Sequence, residues 1–68
     1  MFKITLAAAR VNRGLTQKEL AERLCVSNRT IISWENGKTF PSAAKVKEIC
    51  EVLRVPVEFL NFLPRNSL

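Results

Sequence analysis

Apolar residues in this chain recur at the spacing of α-helices, and no segment alternates apolar and polar residues as strictly as a half-buried strand does. Phe2, Leu6 and Ala9 recur at helical spacing and predict a first helix that includes them. Gly14 is expected to stop this helix near Arg13. The pattern therefore favours helical structure from the first residues onward.

The clearest helix start lies at Thr16. Thr16 suits the N-cap position, and Glu19, three residues later, can reach back to complete a capping box. Leu15 before the cap and Leu20 at the fourth helical position form the matching hydrophobic staple. These signals predict a second helix over residues 17–24.

Three further helices follow from cap and proline positions. Ser27 is a good N-cap for a third helix, which is expected to end at Asn36–Gly37. Ser42 caps a fourth, and Pro56 suits the first turn of a short fifth that stops before Pro64. The predicted fold is all-α: a compact five-helix bundle, one domain over residues 1–68, with a helix-turn-helix at about residues 16–36.

The third predicted helix divides into two arcs. At about 100° per residue, Thr30, Ile31 and Trp34 form a core arc. The opposite arc carries hydrogen-bonding side chains around one aliphatic residue: Asn28, Arg29, Ile32, Ser33 and Asn36. An ordinary solvated face is one explanation, and a single exposed isoleucine is common. However, Asn, Arg and Ser suit the reading of base edges, and isoleucine suits the thymine methyl group.

Residues around this helix suit phosphate groups. Gln17 and Ser27 lie at helix N-termini, where unpaired N–H groups favour anions. Asn36, Lys38 and Thr39 continue the polar arc onto a loop that can follow a nucleic-acid backbone. Eleven Lys and Arg against six acidic residues give a net charge of +5, which favours a polyanionic partner, although it also serves solubility.

At this point the stretch LTQKELAERLCVSNRTIISWENGK resembles the phage Cro/repressor-type (XRE-type) helix-turn-helix, a lambda-repressor-like DNA-binding domain. The matching features are the Leu-Thr-Gln start, Ala21, the turn at Val26–Ser27, the core pair Ile31 and Trp34, and the Glu-Asn-Gly-Lys ending. The resemblance implies a sequence-specific double-stranded-DNA-binding transcriptional regulator, expected to be a repressor that occupies a palindromic operator.

The resemblance also implies roles for individual residues. Base reading falls to Asn28, Arg29 and Ser33, with Ser27 and Ile32 as supplementary contacts. Phosphate contacts fall to Gln17, Asn36 and Lys38, and we expect Lys18 and Thr39 to join them. Arg10 and Glu35 match a pair that bridges the first helix and the end of the recognition helix. As a surface pair it would contribute only about 0–1 kcal/mol, so its value would lie in orienting the helices.

One residue departs from the family pattern. Relatives most often have glycine where this chain has Cys25, because the turn tends to require positive φ. We expect Cys25 to adopt that conformation at a cost of roughly 1–2 kcal/mol, so that Cys25→Gly is neutral or stabilising. A redox-sensing thiol is an alternative role for this residue.

The C-terminal stretch VLRVPVEFLNFL is strongly apolar. One interpretation is that its large side chains only close or cap the core. The other, which we favour, is a homodimer interface, at least on DNA, that sets two recognition helices about 34 Å apart. The expected interface residues are Val57, Phe59, Leu60, Phe62 and Leu63.

Composition argues against several other functions. Histidine is absent, and Cys25 and Cys50 lie far apart, so the usual zinc frameworks and Cys/His nucleophiles are excluded. We expect no enzyme activity, metal, cofactor or small-molecule effector. Apolar runs fall short of the roughly 20 residues of a membrane span, so a cytoplasmic protein with free thiols is expected. The alternative is an antitoxin-like module that binds a protein through its C-terminal segment and regulates its own synthesis.

Overall fold

The computed structural model describes residues 3–62, and the helix-turn-helix prediction is confirmed there by helices that begin and end where their caps lie. The elements, in chain order, are β1 (Ile4–Thr5), α1 (Leu6–Asn12), α2 (Gln17–Leu24), α3 (Asn28–Glu35), α4 (Ala43–Leu53), a 3₁₀ helix (Val57–Phe59) and β2 (Leu60–Asn61). The described chain is therefore mainly helical, with four α-helices. No helix in this range is long and apolar enough to cross a membrane.

Local capping explains why three helices begin where they do. Thr16 accepts a hydrogen bond from the backbone N–H of Glu19 at 3.0 Å, and the Glu19 carboxylate accepts one from the Thr16 N–H at 2.8 Å, completing the capping box. The Ser27 and Ser42 side chains cap α3 and α4 by accepting from the backbone N–H groups of Thr30 and Lys45. The predicted bounds of α2 are confirmed.

The first helix is shorter than the spacing of Phe2, Leu6 and Ala9 predicts, although it ends near Arg13 as expected. Helix α1 begins at Leu6, because the Thr5 side chain accepts a hydrogen bond from the N–H of Ala8 at 3.1 Å and acts as the N-cap. Ile4 and Thr5 are extended instead. Phe2, part of the pattern behind that expectation, lies outside the described residues.

The predicted fifth helix is also wrong. Pro56 is extended and precedes a single 3₁₀ turn, after which Leu60 and Asn61 pair in parallel with Ile4 and Thr5. A two-residue strand leaves no alternation that a sequence pattern can display, and the pairing joins the two ends of the described chain. This contact closes the bundle where a further α-helix was expected.

The core lies between the helices and is entirely apolar among the described residues. Its buried members are Leu6, Ala9, Leu20, Ala21, Leu24, Ile31, Trp34, Ile49, Leu53 and Leu60. Leu60, which we expected at a dimer interface, is only 5% exposed and belongs to this core. The ammonium group of Lys45 donates to the carbonyl of Leu24 at 2.7 Å, so α4 also satisfies the end of α2.

The turn between α2 and α3 has the predicted left-handed conformation. Cys25 has φ 57° and ψ 42°, and its side chain is exposed. Helix α4 ends in the same way at Arg54, with φ 57°. Neither residue is glycine, so the fold accepts the steric cost of a Cβ at two helix ends.

Candidate nucleic-acid interface

Helix α3 presents the polar arc that its sequence pattern predicts. Ile31 and Trp34, at 0% and 8% exposure, anchor the helix in the core. Asn28 and Arg29 are exposed in its first turn, and Ile32 is 37% exposed on the same arc. The arc thus faces solvent because the opposite face of the helix is buried, and Asn28, Arg29 and Ile32 are open to an external ligand.

Ser27 already has local partners. Its hydroxyl accepts a hydrogen bond from the backbone N–H of Thr30 at 3.1 Å and lies 2.9 Å from the Thr30 hydroxyl. This N-cap role positions the first turn of α3. A contact from Ser27 to DNA would therefore have to share a hydroxyl that also caps the helix.

A partly buried ion pair joins α1 to the end of α3. The guanidinium Nε of Arg10 donates to Glu35 Oε2 at 2.6 Å, and Nη2 donates to Oε1 at 3.4 Å. A third donor, Nη1, reaches the Leu15 carbonyl at 2.7 Å. The two side chains are only 13% and 6% exposed, so the surface pair assumed from the sequence is in fact largely buried. Its geometry fixes the end of α3 against α1.

Gln17 adds a third group to this network. Its Nε2 donates to Glu35 Oε1 at 2.9 Å, while Gln17 itself is the first residue of α2. An amide nitrogen carries two hydrogens, so one remains for the phosphate contact predicted for this residue. Lys18, the next residue, is exposed. The bond from Gln17 to Glu35 was not predicted, because the resemblance implied only a phosphate contact for Gln17 and helical periodicity carries no information on contacts between helices.

The loop after α3 turns back over the last turn of that helix. Asn36 is the C-cap, and Gly37 takes φ 74°, which a residue with a side chain rarely adopts. The Lys38 N–H then donates to the Ser33 carbonyl at 3.0 Å. Ser33 and Thr39 hydroxyls lie 2.7 Å apart. Two predicted phosphate-contacting residues, Lys38 and Thr39, are thereby held exposed beside the half-buried Ser33.

Two further features of the described residues, an apolar groove and a cysteine with a raised pKa, lie along α4 and away from the polar arc. An open apolar groove of about 670 Å³ runs along α4 between Ala43 and Val57. Burial, followed by the charge of Glu51, raises the pKa of the Cys50 thiol in its wall. Residues 3–62 contain no group of three or more His, Cys or acidic residues that could hold a metal ion.

Of the predicted dimer residues, three within the described range keep some exposed surface. Val57 is 55% exposed, and Phe59 and Phe62 are half-buried. Leu60 lies in the core, as described above, and Leu63 lies outside the described residues. The apolar surface that the described residues offer is therefore smaller than the sequence suggests.

Comparison with known proteins places this geometry in a family. A helix-turn-helix family model matches residues 6–60. The chain is 37% identical over 59 residues to the HTH-type transcriptional activator BcrR of Enterococcus faecalis, a match that covers 87% of this chain and 29% of that protein. It is 48% identical over 40 residues to an uncharacterised HTH-type transcriptional regulator of Methanothermobacter thermautotrophicus, covering 59% of this chain and 58% of the relative.

A third relative is an enzyme. A type II methyltransferase of Lactococcus lactis subsp. cremoris is 43% identical over 58 residues, which cover 81% of this chain but 14% of the enzyme. The chain thus spans less than a third of the length of this enzyme and of the activator. No solved structure matches the chain.

Proposed function

This chain belongs to the helix-turn-helix family of XRE type, whose members include DNA-binding transcriptional regulators, and we propose that it is a repressor that occupies a palindromic operator as a homodimer. The observation that carries the proposal is the exposed polar arc of α3 on a helix whose other face and far end are anchored. Such a helix can enter the major groove as a rigid reader of base edges.

Base recognition is assigned to the arc. Arg29 suits the O6 and N7 atoms of guanine, Asn28 suits the N6 and N7 atoms of adenine, and Ile32 suits a thymine methyl group. Each of these side chains is exposed in α3. Ser33 lies at the far end of the same arc and completes the set of base-reading residues, with Ser27 at the near end.

Affinity is assigned to phosphate contacts on both sides of α3. Gln17 and Lys18 lie at the N-terminus of α2, and Asn36, Lys38 and Thr39 form the exposed end of α3 and its loop. The net charge of +5 adds a sequence-independent attraction, because each neutralised phosphate releases counterions. Phosphate contacts set the register of the protein, and the arc then discriminates between sequences.

Repression would follow from occupancy. A site that overlaps a promoter excludes the polymerase, and this mechanism needs no catalytic or effector-binding group. The chain's relative in Enterococcus faecalis is named an activator. For this chain, the proposal is that the position of the operator relative to the promoter decides whether binding represses. A reporter with the selected site placed over the promoter, and then upstream of it, tests the assignment: repression is expected only in the first arrangement.

The homodimer rests on the residues after α4. Val57 is 55% exposed, and Phe59 and Phe62 are half-buried, with Phe62 packed against the core on its inner side. Two copies joined there would present two recognition helices to successive major grooves of a palindrome. We propose that the dimer forms at least on DNA.

Selection from a random duplex library tests the proposed function. We expect enrichment of an inverted repeat whose half-sites are centred about 10 base pairs apart. Enrichment of a single half-site would remove the dimer and keep specific recognition. No enrichment at all would contradict specific DNA binding, and the antitoxin-like alternative would then direct the search to a protein partner of the apolar groove.

A further inference from the structure

Ser33 and Thr39 form the one hydroxyl pair, among residues 3–62, that joins α3 to the loop after it. Their oxygen atoms lie 2.7 Å apart, and either hydroxyl can be the donor. The backbone contact between the Lys38 N–H and the Ser33 carbonyl, at 3.0 Å, holds the two residues together. Thr39 is exposed and Ser33 is half-buried, so Thr39 is the outer member of the pair.

When the protein is bound to DNA, the number of hydroxyl hydrogens decides which of these two residues donates and which accepts. A hydroxyl has one hydrogen to donate, and a phosphate oxygen can only accept. If Thr39 donates its hydrogen to a backbone phosphate, its oxygen must accept the hydrogen of Ser33 to keep their contact. Ser33 then has no hydrogen left and presents only lone pairs to the major groove.

We propose that the phosphate contact of Thr39 makes Ser33 an obligate acceptor, so that Ser33 selects adenine or cytosine at its position in the site. Both bases carry an amino group on the major-groove edge, whereas guanine and thymine offer acceptors there. The proposal rests on the proposed function, since it requires α3 to lie in the groove. Thr39 would then be a positioning residue that determines specificity without touching a base.

Gly37 makes this arrangement possible. Ser33 and Thr39 are six positions apart, which places them on different faces of a continuous helix, but α3 ends at Glu35 and Gly37 reverses the chain at φ 74°. The loop therefore brings the Thr39 hydroxyl, which is proposed to contact a DNA phosphate, next to the Ser33 hydroxyl, which is proposed to face a base. A side chain without a hydroxyl at position 39 would leave Ser33 free to donate or accept.

The test is base preference, measured by sequencing duplexes bound from a library randomised within the selected site. Ser33→Ala identifies the position that Ser33 reads, because preference disappears there. At that position the wild-type protein is expected to favour adenine or cytosine by roughly three- to tenfold, the range of one neutral hydrogen bond. Thr39→Val, which keeps the shape of threonine, is expected to reduce this preference to within about twofold.

Thr39→Ser is the matched control, because it retains the hydroxyl and should retain the preference. Thr39→Ala gives a second variant in case valine disturbs the loop, and thermal unfolding verifies that each variant folds. The inference is overturned if Thr39→Val and Thr39→Ala keep the wild-type preference, if the wild type favours guanine or thymine there, or if Ser33→Ala alters no position. Failure of the wild-type protein to enrich any sequence would overturn the proposed function itself, and the inference with it.

Discussion

Arg10 and Glu35 meet through two nitrogen–oxygen contacts, of 2.6 Å and 3.4 Å, and join α1 to the last residue of α3. Because both side chains are largely withdrawn from water, the pair is fixed in place, and Gln17 and the Leu15 carbonyl satisfy further polar atoms around it. The orientation of the polar arc therefore depends on a contact made outside the arc.

Arg10→Met is expected to destabilise the domain by about 3 kcal/mol, since it leaves the buried carboxylate of Glu35 without its charged partner. Chemical denaturation with the linear extrapolation measures this difference in the free energy of unfolding. Glu48→Gln is the matched control, because it breaks the more exposed Lys45–Glu48 pair and should cost about 0–1 kcal/mol. Equal losses in the two variants would show that the burial of the Arg10 pair has no energetic consequence.

Cys25→Gly is expected to leave the stability unchanged or to raise it by up to about 1 kcal/mol. Glycine removes the steric cost of φ 57°, and its greater freedom in the unfolded chain offsets part of the gain. Arg54→Gly, at the other left-handed helix end, should change the stability in the same way. Such agreement would show that loss of the thiol does not cause the effect of Cys25→Gly. A clear fall in the thermal midpoint of Cys25→Gly, with Arg54→Gly unaffected, would contradict this explanation.

The capping box predicts a pH dependence of stability. Hydrogen bonds from the backbone and side chain of Thr16 hold the pKa of Glu19 below its ordinary value of 4.5. A lowered pKa in the folded state stabilises the protein above the ordinary value, and this contribution is lost as the pH falls through the folded-state pKa. The amide oxygen in Glu19→Gln can still accept from the Thr16 N–H, but this side chain does not titrate. As the pH is lowered below about 4.5, the thermal midpoint of Glu19→Gln should therefore fall less than that of the wild type. Parallel pH profiles for the two proteins would exclude this linkage.

Arg29→Ala is expected to lose about 1–3 kcal/mol of binding free energy on the selected site and to relax one base position. Arg29→Lys separates charge from geometry, because lysine keeps the positive charge but lacks the planar fork that matches guanine. Fluorescence anisotropy on the selected duplex and on single-base variants measures both effects. An unchanged base preference in Arg29→Ala would refute the role given to this residue.

Val57→Lys is expected to yield a protein that binds a half-site but no longer binds the palindrome cooperatively. A charge at this 55% exposed position would be buried at the proposed dimer interface. Val11→Lys, at a valine that is 61% exposed in α1, is the matched control and should bind like the wild type. Light scattering of the protein–DNA complexes would contradict the dimer if the wild type and Val57→Lys gave the same one-copy mass.

The features that could be predicted from the sequence are local ones. Thr16, Ser27 and Ser42 could be predicted as helix starts, because an N-cap side chain binds a backbone N–H only three residues further along the chain. The exposed arc of α3 follows from helical periodicity in the same way. Family resemblance supplied the expectation of positive φ at Cys25, which the structure confirms.

Contacts between distant parts of the chain could not be predicted from these patterns. Ile4 and Leu60 pair as strands where the apolar spacing predicted helices. This pairing could not be predicted, because two-residue strands have no recognisable periodicity. The burial of the Arg10–Glu35 pair likewise depends on how α1 packs near α3. Ser33 and Thr39 meet only because the chain reverses at Gly37.

The proposed function requires that α3 recognise a specific DNA sequence. Binding isotherms on the selected duplex and on a scrambled duplex, each at two salt concentrations, measure this specificity. We expect the selected duplex to bind at least about 10³-fold more tightly than the scrambled one at physiological salt, with both affinities falling as salt increases. Equal, weak and steeply salt-dependent binding to the two duplexes would contradict the account, because net charge alone would then explain it.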